Sequence, residues 1–118
     1  MRGMHFQYPK WEAKLVRVTR GSVYDVIVDL RPDSPTYLKH IGIELSNNNH
    51  KMLYVPECFG HGFLTLEDNT EVFYQMSEFY IPENARGFRY DDPVLDIQWP
   101  IDVTVISDRD KNYPDFNA

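Results

Sequence analysis

The feature that most constrains this chain is its rhythm: short runs of β-favouring residues, broken at close intervals by turn residues. Strands are expected over Gly3–Gln7, Ala13–Thr19, Val23–Leu30, Ile41–Ser46, Met52–Val55, Gly62–Glu67, Glu71–Ser77 and Val103–Ser107. Turn punctuation separates them at Arg20-Gly21, Arg31 to Pro35, Asn47-Asn48-Asn49, Pro56 to Gly60 and Asp68-Asn69. No segment sustains a helical period, and only a short helical turn is expected around Asp108 to Lys111. The pattern implies an all-β sandwich or barrel. Eight strands at these spacings fit a jelly roll, whose mouth commonly holds a ligand.

A chain of 118 residues fits one compact domain and is too short for two. With 42% hydrophobic and 25% charged residues it belongs to the ordinary globular class. No uninterrupted apolar stretch is long enough for a bilayer, and the start, Met1-Arg2-Gly3-Met4-His5, lacks the apolar core of a secretory signal. The one cysteine, Cys58, cannot form an internal disulfide, so a cytoplasmic location is expected. A formal charge of -6 argues against nucleic acid or an anionic membrane as partner, because phosphate surfaces require a basic face. One small phosphorylated ligand, held by a few local cations, stays compatible with it.

Strand side chains alternate between faces, so residues two positions away report each side chain's surroundings. Lys14 shares a face with Val16 and Val18, and Tyr74 with Val72 and Met76. Asp25 sits with Val23 and Ile27, and His61 with Phe63, flanked by Gly60 and Gly62, which permit close backbone approach. Each has an ordinary packing explanation taken alone: a satisfied core tyrosine, a structural aspartate, a snorkelling lysine. Four polar side chains on apolar faces of one small β-fold point instead to a barrel lumen that carries chemistry.

Longer runs narrow the reading. Arg2-Gly3-Met4-His5-Phe6-Gln7 is followed by Lys14-Leu15-Val16-Arg17-Val18, and then by Gly21-Ser22-Val23-Tyr24-Asp25 through Asp29-Leu30-Arg31. Ser34-Pro35-Thr36, Glu44-Leu45-Ser46 and Val55-Pro56-Glu57-Cys58-Phe59-Gly60-His61-Gly62-Phe63 come next. The tail runs from Asp92-Pro93 through Ile97-Gln98-Trp99-Pro100 to Ser107-Asp108-Arg109-Asp110. In this order, over almost the whole chain, the runs closely resemble the dTDP-4-dehydrorhamnose 3,5-epimerases of deoxysugar biosynthesis.

The resemblance implies a cupin-type jelly-roll β-barrel spanning residues 1–118, a nucleotide-sugar substrate, a homodimer and no metal or organic cofactor. Carried over residue by residue, His5 is similar to the base that removes the sugar-ring protons, and Asp110 to its carboxylate partner. Tyr74 is similar to the acid that returns a proton to the opposite face, and Lys14 would sit near the developing enolate oxygen. Arg2, His61 and Arg109 would contact substrate, with Arg2 on the phosphates. The residue types suit the chemistry. Protons flanking a C4 ketone become acidic when a cation and hydrogen-bond donors stabilise the enolate oxygen in a water-poor cavity. Histidine titrates near neutral pH, and a carboxylate can orient it.

The chain also departs from the family pattern. It opens almost directly at the catalytic strand, whereas family members carry a preceding segment that packs on a partner subunit and completes the substrate site. An acidic residue often used after the tyrosine strand falls at Ala85, with Glu83 the nearest carboxylate. Cys58 replaces a usual glycine, and Arg109 a common lysine, keeping charge but changing geometry.

Two readings compete with a cofactor-free epimerase. A metal-dependent cupin would use His5, Glu12 and His61, with Gln7 as a further ligand. A non-catalytic sugar-nucleotide-binding relative would keep the barrel and lose turnover. A third variant stays within catalysis and inverts a single carbon.

Overall fold

The computed structural model describes residues 1–116. In chain order the elements are β1 (Arg2–Gln7), β2 (Lys14–Arg20), β3 (Ser22–Asp29), β4 (His40–Ser46), β5 (Met52–Val55), β6 (Phe59–Thr65) and β7 (Glu71–Met76). A 3-10 turn (Pro82–Asn84) leads into β8 (Ala85–Gly87), and a one-turn helix, α1 (Asp108–Lys111), closes the order. Among the described residues the strands form a five-stranded sheet, β4-β3-β6-β1-β8, and a three-stranded sheet, β5-β2-β7. Every pairing is antiparallel. The chain passes repeatedly from one sheet to the other, as in a jelly roll, and the expected all-β class holds.

Alternation along the strands builds two cores. Val16 and Val18 of β2 meet Val23 and Ile27 of β3, Leu45 of β4 and Val55 of β5 between the sheets. On the opposite face of the large sheet, Met4, Val26 and Val28 are covered by Leu30, Phe88, Leu95 and Ile97. Because β3 is buried on both faces, its sequence is nearly continuous in apolar residues. Each fully buried side chain of this size contributes roughly 1.5–3 kcal/mol.

The observed bounds correct the sequence reading in three places. Val103–Ser107, expected as a strand, is irregular, with Val105 79% exposed. Its β-favouring residues face no ladder; the Met1 nitrogen instead donates to the Val105 carbonyl at 3.1 Å. The eighth strand is β8, which a glycine and an arginine in three residues conceal from pattern reading. The turn expected over Pro56 to Gly60 is shorter, because Phe59 and Gly60 already belong to β6. Gly60 is tolerated there for a packing reason: a Cβ would meet the Phe88 ring at 2.8 Å.

The Ser34-Pro35-Thr36 run acquires a role. Asp29, buried at the end of β3, accepts hydrogen bonds from the Ser34 and Thr36 hydroxyls and a two-pronged contact from Arg31. The arginine's hydrogen bond leads in holding the Asp29 carboxyl far below its ordinary range, against the opposing effect of burial. Residues 29–36 are therefore a clasp, remote from the chemistry described next.

Candidate active site

A cleft of about 500 Å³ opens between the two sheets, walled by β1, β2, β7, β8 and α1. The three-stranded sheet supplies Lys14 and Tyr74. Lys14 is opposite Met76 and Val16 is opposite Tyr74, so the lysine and the tyrosine are diagonal neighbours on the inner face. The five-stranded sheet supplies Arg2 and His5, and α1 supplies Arg109 and Asp110. Six of the seven sequence-predicted site residues thus line one cavity although they are scattered from position 2 to position 110.

The joint between β1 and α1 is the most defined part. Ser107 caps the helix by accepting a hydrogen bond from the Asp110 N–H at 3.1 Å, which turns the chain so that Asp110 lies over β1. Asp110 Oδ1 is 2.6 Å from His5 Nε2, and Oδ2 accepts from the Gly3 N–H at 3.2 Å. Arg109 Nη2 reaches within 3.5 Å of the same imidazole nitrogen. Burial of the Asp110 carboxyl raises its pKa, but the hydrogen bond and charge of His5, the Gly3 N–H and Arg109 together outweigh it and hold the group below its ordinary value. Burial pushes the His5 pKa down, outweighing the opposite pull of Asp110. At neutral pH the pair is therefore a carboxylate beside a neutral imidazole. With Nε2–H donating to the carboxylate, Nδ1 is the basic nitrogen.

On the other side Arg2 Nη1 lies 3.4 Å from the Tyr74 hydroxyl. Tyr74 is 37% exposed, more open than a core tyrosine, because it stands at the mouth of the cleft. The wall carries four cations, Arg2, Lys14, Arg86 and Arg109, against the two carboxylates of Glu12 and Asp110. A local excess of cations in a chain of net charge -6 fits an anionic ligand.

His61 is placed differently from the expectation. It stands directly opposite His5 across the β1–β6 ladder, but it is 5% exposed and does not line the cleft. Its Nε2 lies 2.5 Å from Asp25 Oδ1 in the interior. Neither His61 Nε2 nor either Asp25 oxygen has any other polar partner among the described residues. The flanking glycines are needed for packing: a Cβ at Gly62 would meet Met4 Sδ at 2.5 Å and the Arg2 carbonyl at 2.9 Å. His5, Glu12 and His61 do not converge. Among the described residues no three His, Cys, Asp or Glu side chains cluster in a way that could hold a metal ion, so the ligand set of the metal-cupin reading is not assembled.

Glu83, the nearest carboxylate in sequence to the family's acidic position, is outside the cleft wall, whereas Ala85 is in it. Sequence reasoning reached Glu12 only as a metal-ligand candidate and missed Tyr80 and Tyr113, all three of which line the cleft. Only Glu12 left a usable trace, two positions before Lys14. Tyr113, whose ring meets His5 edge-on at 6.4 Å, comes from an irregular tail with no periodic signal.

Residues 1–118 match the sequence family described as dTDP-4-dehydrorhamnose 3,5-epimerase. The chain belongs to this family. It is 45% identical over 116 residues to the dTDP-4-dehydrorhamnose 3,5-epimerase of Methanothermobacter thermautotrophicus, covering 96% of this chain and 63% of that protein. The crystal structure of the enzyme of that name from Bacillus anthracis, with TDP and PPi bound, superposes with a TM-score of 0.93 at 45% identity, over 98% of this chain and 66% of that one. A Legionella pneumophila dTDP-6-deoxy-D-glucose-3,5-epimerase in complex with dTDP-4-keto-L-rhamnose gives 0.88 at 38% identity, over 92% and 58%. The chain thus spans a little under two thirds of the length of such curated relatives. The cupin-like jelly roll of the epimerases is its fold.

Proposed function

We propose that this protein is a sugar-nucleotide 3,5-epimerase that converts dTDP-4-dehydro-6-deoxy-D-glucose, or a closely related nucleotide-linked 4-keto-6-deoxyhexose, to its L-configured epimer. The observation that carries the reading is the cleft itself: a neutral imidazole paired to a buried carboxylate on one sheet faces a lysine and a tyrosine on the other. Membership of the family and the ligands named for its solved relatives support the substrate class.

In this reading His5 Nδ1 takes the proton from the carbon next to the C4 ketone. The C–H electron pair becomes the C=C of an enolate, and the carbonyl π pair moves to oxygen. Lys14 holds that oxygen's negative charge. Asp110 keeps the imidazole oriented and stabilises the imidazolium that forms. Tyr74 delivers its phenolic proton to the opposite face of the same carbon, so the ketone reforms with inverted configuration. Once the imidazolium has released its proton to solvent and the Tyr74 phenolate has regained one, the same steps at the second flanking carbon give the double epimer. Arg2 and Arg109, and Arg86 beside them, bind the diphosphate. His61, turned toward Asp25, supports the interior instead of touching substrate.

As a whole, residues 1–118 act as one epimerase domain in the cytoplasm. No helix among the described residues is long and apolar enough to cross a membrane. A homodimer is the proposed assembly. It is supported by the outer face of the three-stranded sheet, where Met52, Tyr54 and Phe73 are about half exposed or more. The test of function is direct: incubate the protein with dTDP-4-dehydro-6-deoxy-D-glucose and follow the sugar-ring signals by NMR. Appearance of the L-rhamno product supports the proposal, and an unchanged spectrum with saturable binding would replace it with a binding-only role.

A further inference from the structure

One buried carboxylate in the cleft has no part in the proton transfers above. Glu12 is only 8% exposed, yet it lies in the wall beside Lys14. Its Oε1 is 3.5 Å from Lys14 Nζ, the one ion pair that Lys14 makes among the described residues. Its other oxygen, Oε2, accepts a hydrogen bond from Gln7 Nε2 at 2.8 Å. Gln7 is 4% exposed, and its own Oε1 accepts from the Ile81 backbone N–H at 3.2 Å. Each oxygen of Glu12 and both polar atoms of Gln7 are thus committed. The line runs from the β7–β8 connection, through β1, to the lysine of β2.

Burying a carboxylate is costly unless charge and hydrogen bonds compensate it. Here the compensation comes from the one cation on the inner face of the three-stranded sheet. The arrangement also occupies a telling corner. Gln7 is paired across the ladder with Ala85, the position where the family pattern often carries an acid and this chain does not. The carboxylate that reaches Gln7 at this corner is Glu12. Ile81 follows Tyr80, which lines the cleft, so the same line also anchors the chain at the mouth.

We infer that Glu12, anchored through Gln7 to the Ile81 amide, is a positioning residue that holds the Lys14 ammonium where the enolate oxygen of the substrate forms. The inference rests on the epimerase reading. Lysine is a long flexible side chain that loses rotamer freedom when fixed, and misplacing a catalytic group by about 1 Å can cost on the order of a hundredfold in rate. A carboxylate committed to Lys14 and Gln7 is unsuited to hold a phosphate, so its loss should act on turnover and leave binding largely alone.

The test compares wild type, Glu12→Gln, Glu12→Asp and Gln7→Ala with dTDP-4-dehydro-6-deoxy-D-glucose in deuterated water, reading kcat for hydrogen exchange separately from KM. Glu12→Gln is isosteric and can keep its bond to Gln7, which guards against loss of fold. It should lower kcat by roughly ten- to a hundredfold with KM within about twofold. Glu12→Asp, which keeps the charge but withdraws it by one methylene, should fall between the two. Gln7→Ala should lower kcat and also remove hydrogen-exchange protection of the Ile81 amide. In parallel, the Lys14 side-chain carbon signal in the NMR spectrum should move in Glu12→Gln, a change that a residue serving only the fold would not produce. Exchange at the wild-type rate in Glu12→Gln, in a wild-type protein that exchanges, overturns this role and leaves the epimerase reading standing. Absence of exchange in the wild type overturns both.

Discussion

His5 and Asp110 form the pair on which the proposed proton abstraction turns. Asp110, in a run of charges, looks like a solvated turn, and His5 looks like part of a polar strand face. Their alliance depends on a Ser107 cap that is visible only once α1 is seen to fold back over β1. It has a definite pH consequence. Burial lowers the His5 pKa, and the active form is the neutral imidazole, so activity should persist as pH falls through the ordinary histidine value of about 6.5. The acid limb of kcat/KM should therefore lie below that value. Asp110→Asn removes the partner that favours imidazolium, so the limb should move lower still while the plateau drops by about a hundredfold. A limb that moved upward would contradict the arrangement. The same shifts have a sign for stability. Both groups have folded pKa values below their ordinary ones, so the unfolded chain binds more protons and stability is lost as pH falls.

Two further residues carry predictions of their own. Tyr74→Phe should reduce inversion by about a hundredfold or more while proton abstraction continues, measured as exchange without net epimerisation. Equal loss of both would argue against the acid role. Cys58 sits at φ +69°, the left-handed region that favours glycine, which accounts for the family's usual residue there. Cys58→Gly should stabilise the protein by about 0.5–1 kcal/mol, the relief of Cβ strain exceeding glycine's entropic cost. A lower melting temperature would show that the thiol's packing matters more.

At the scale of elements, strands with clean alternation were legible and those without it were not. β2, β3, β5 and β7 declare themselves by apolar residues two apart, and the lumen-facing Lys14, Asp25 and Tyr74 could be named from that period alone. β8 has no such pattern, because it is a three-residue rim strand paired with β1 from Ala85 to Gly87, the ladder being extended by two backbone bonds, both 3.1 Å, between Met4 and Phe88 just beyond its end. Val103–Ser107 has the pattern without the partner. Glycine in β6 points the same way: close approach of β1 to β6 is a tertiary fact that composition does not show. Gly62→Ala should cost about 1–3 kcal/mol by driving a methyl into Met4 and the Arg2 backbone, read as a drop in denaturant midpoint. Because Arg2 and His5 ride on β1, turnover should fall with it. An alanine variant of wild-type stability would mean that β1 can move away freely.

For the molecule as a whole, charge and architecture act at different ranges. The chain is acidic, but its cleft gathers an excess of cations on a wall made from both sheets. An anionic ligand therefore finds its complement in one place only after the barrel has closed. Sequence totals could exclude polyanionic partners but could not locate this site, because Arg2, Lys14, Arg86 and Arg109 lie in four separate segments. As a homodimer the protein should sediment at twice the 14.0 kDa chain mass, and a monomer at all concentrations would remove that assembly. The central claim is proton abstraction by His5 on both flanks of a C4 ketone. Its most direct test is the loss of the C3 and C5 proton signals of dTDP-4-dehydro-6-deoxy-D-glucose in deuterated water, with His5→Ala as control. Loss of both signals with wild type, and of neither with a folded His5→Ala, is the predicted result; equal loss in the two proteins, or retention of both signals with wild type, would contradict it.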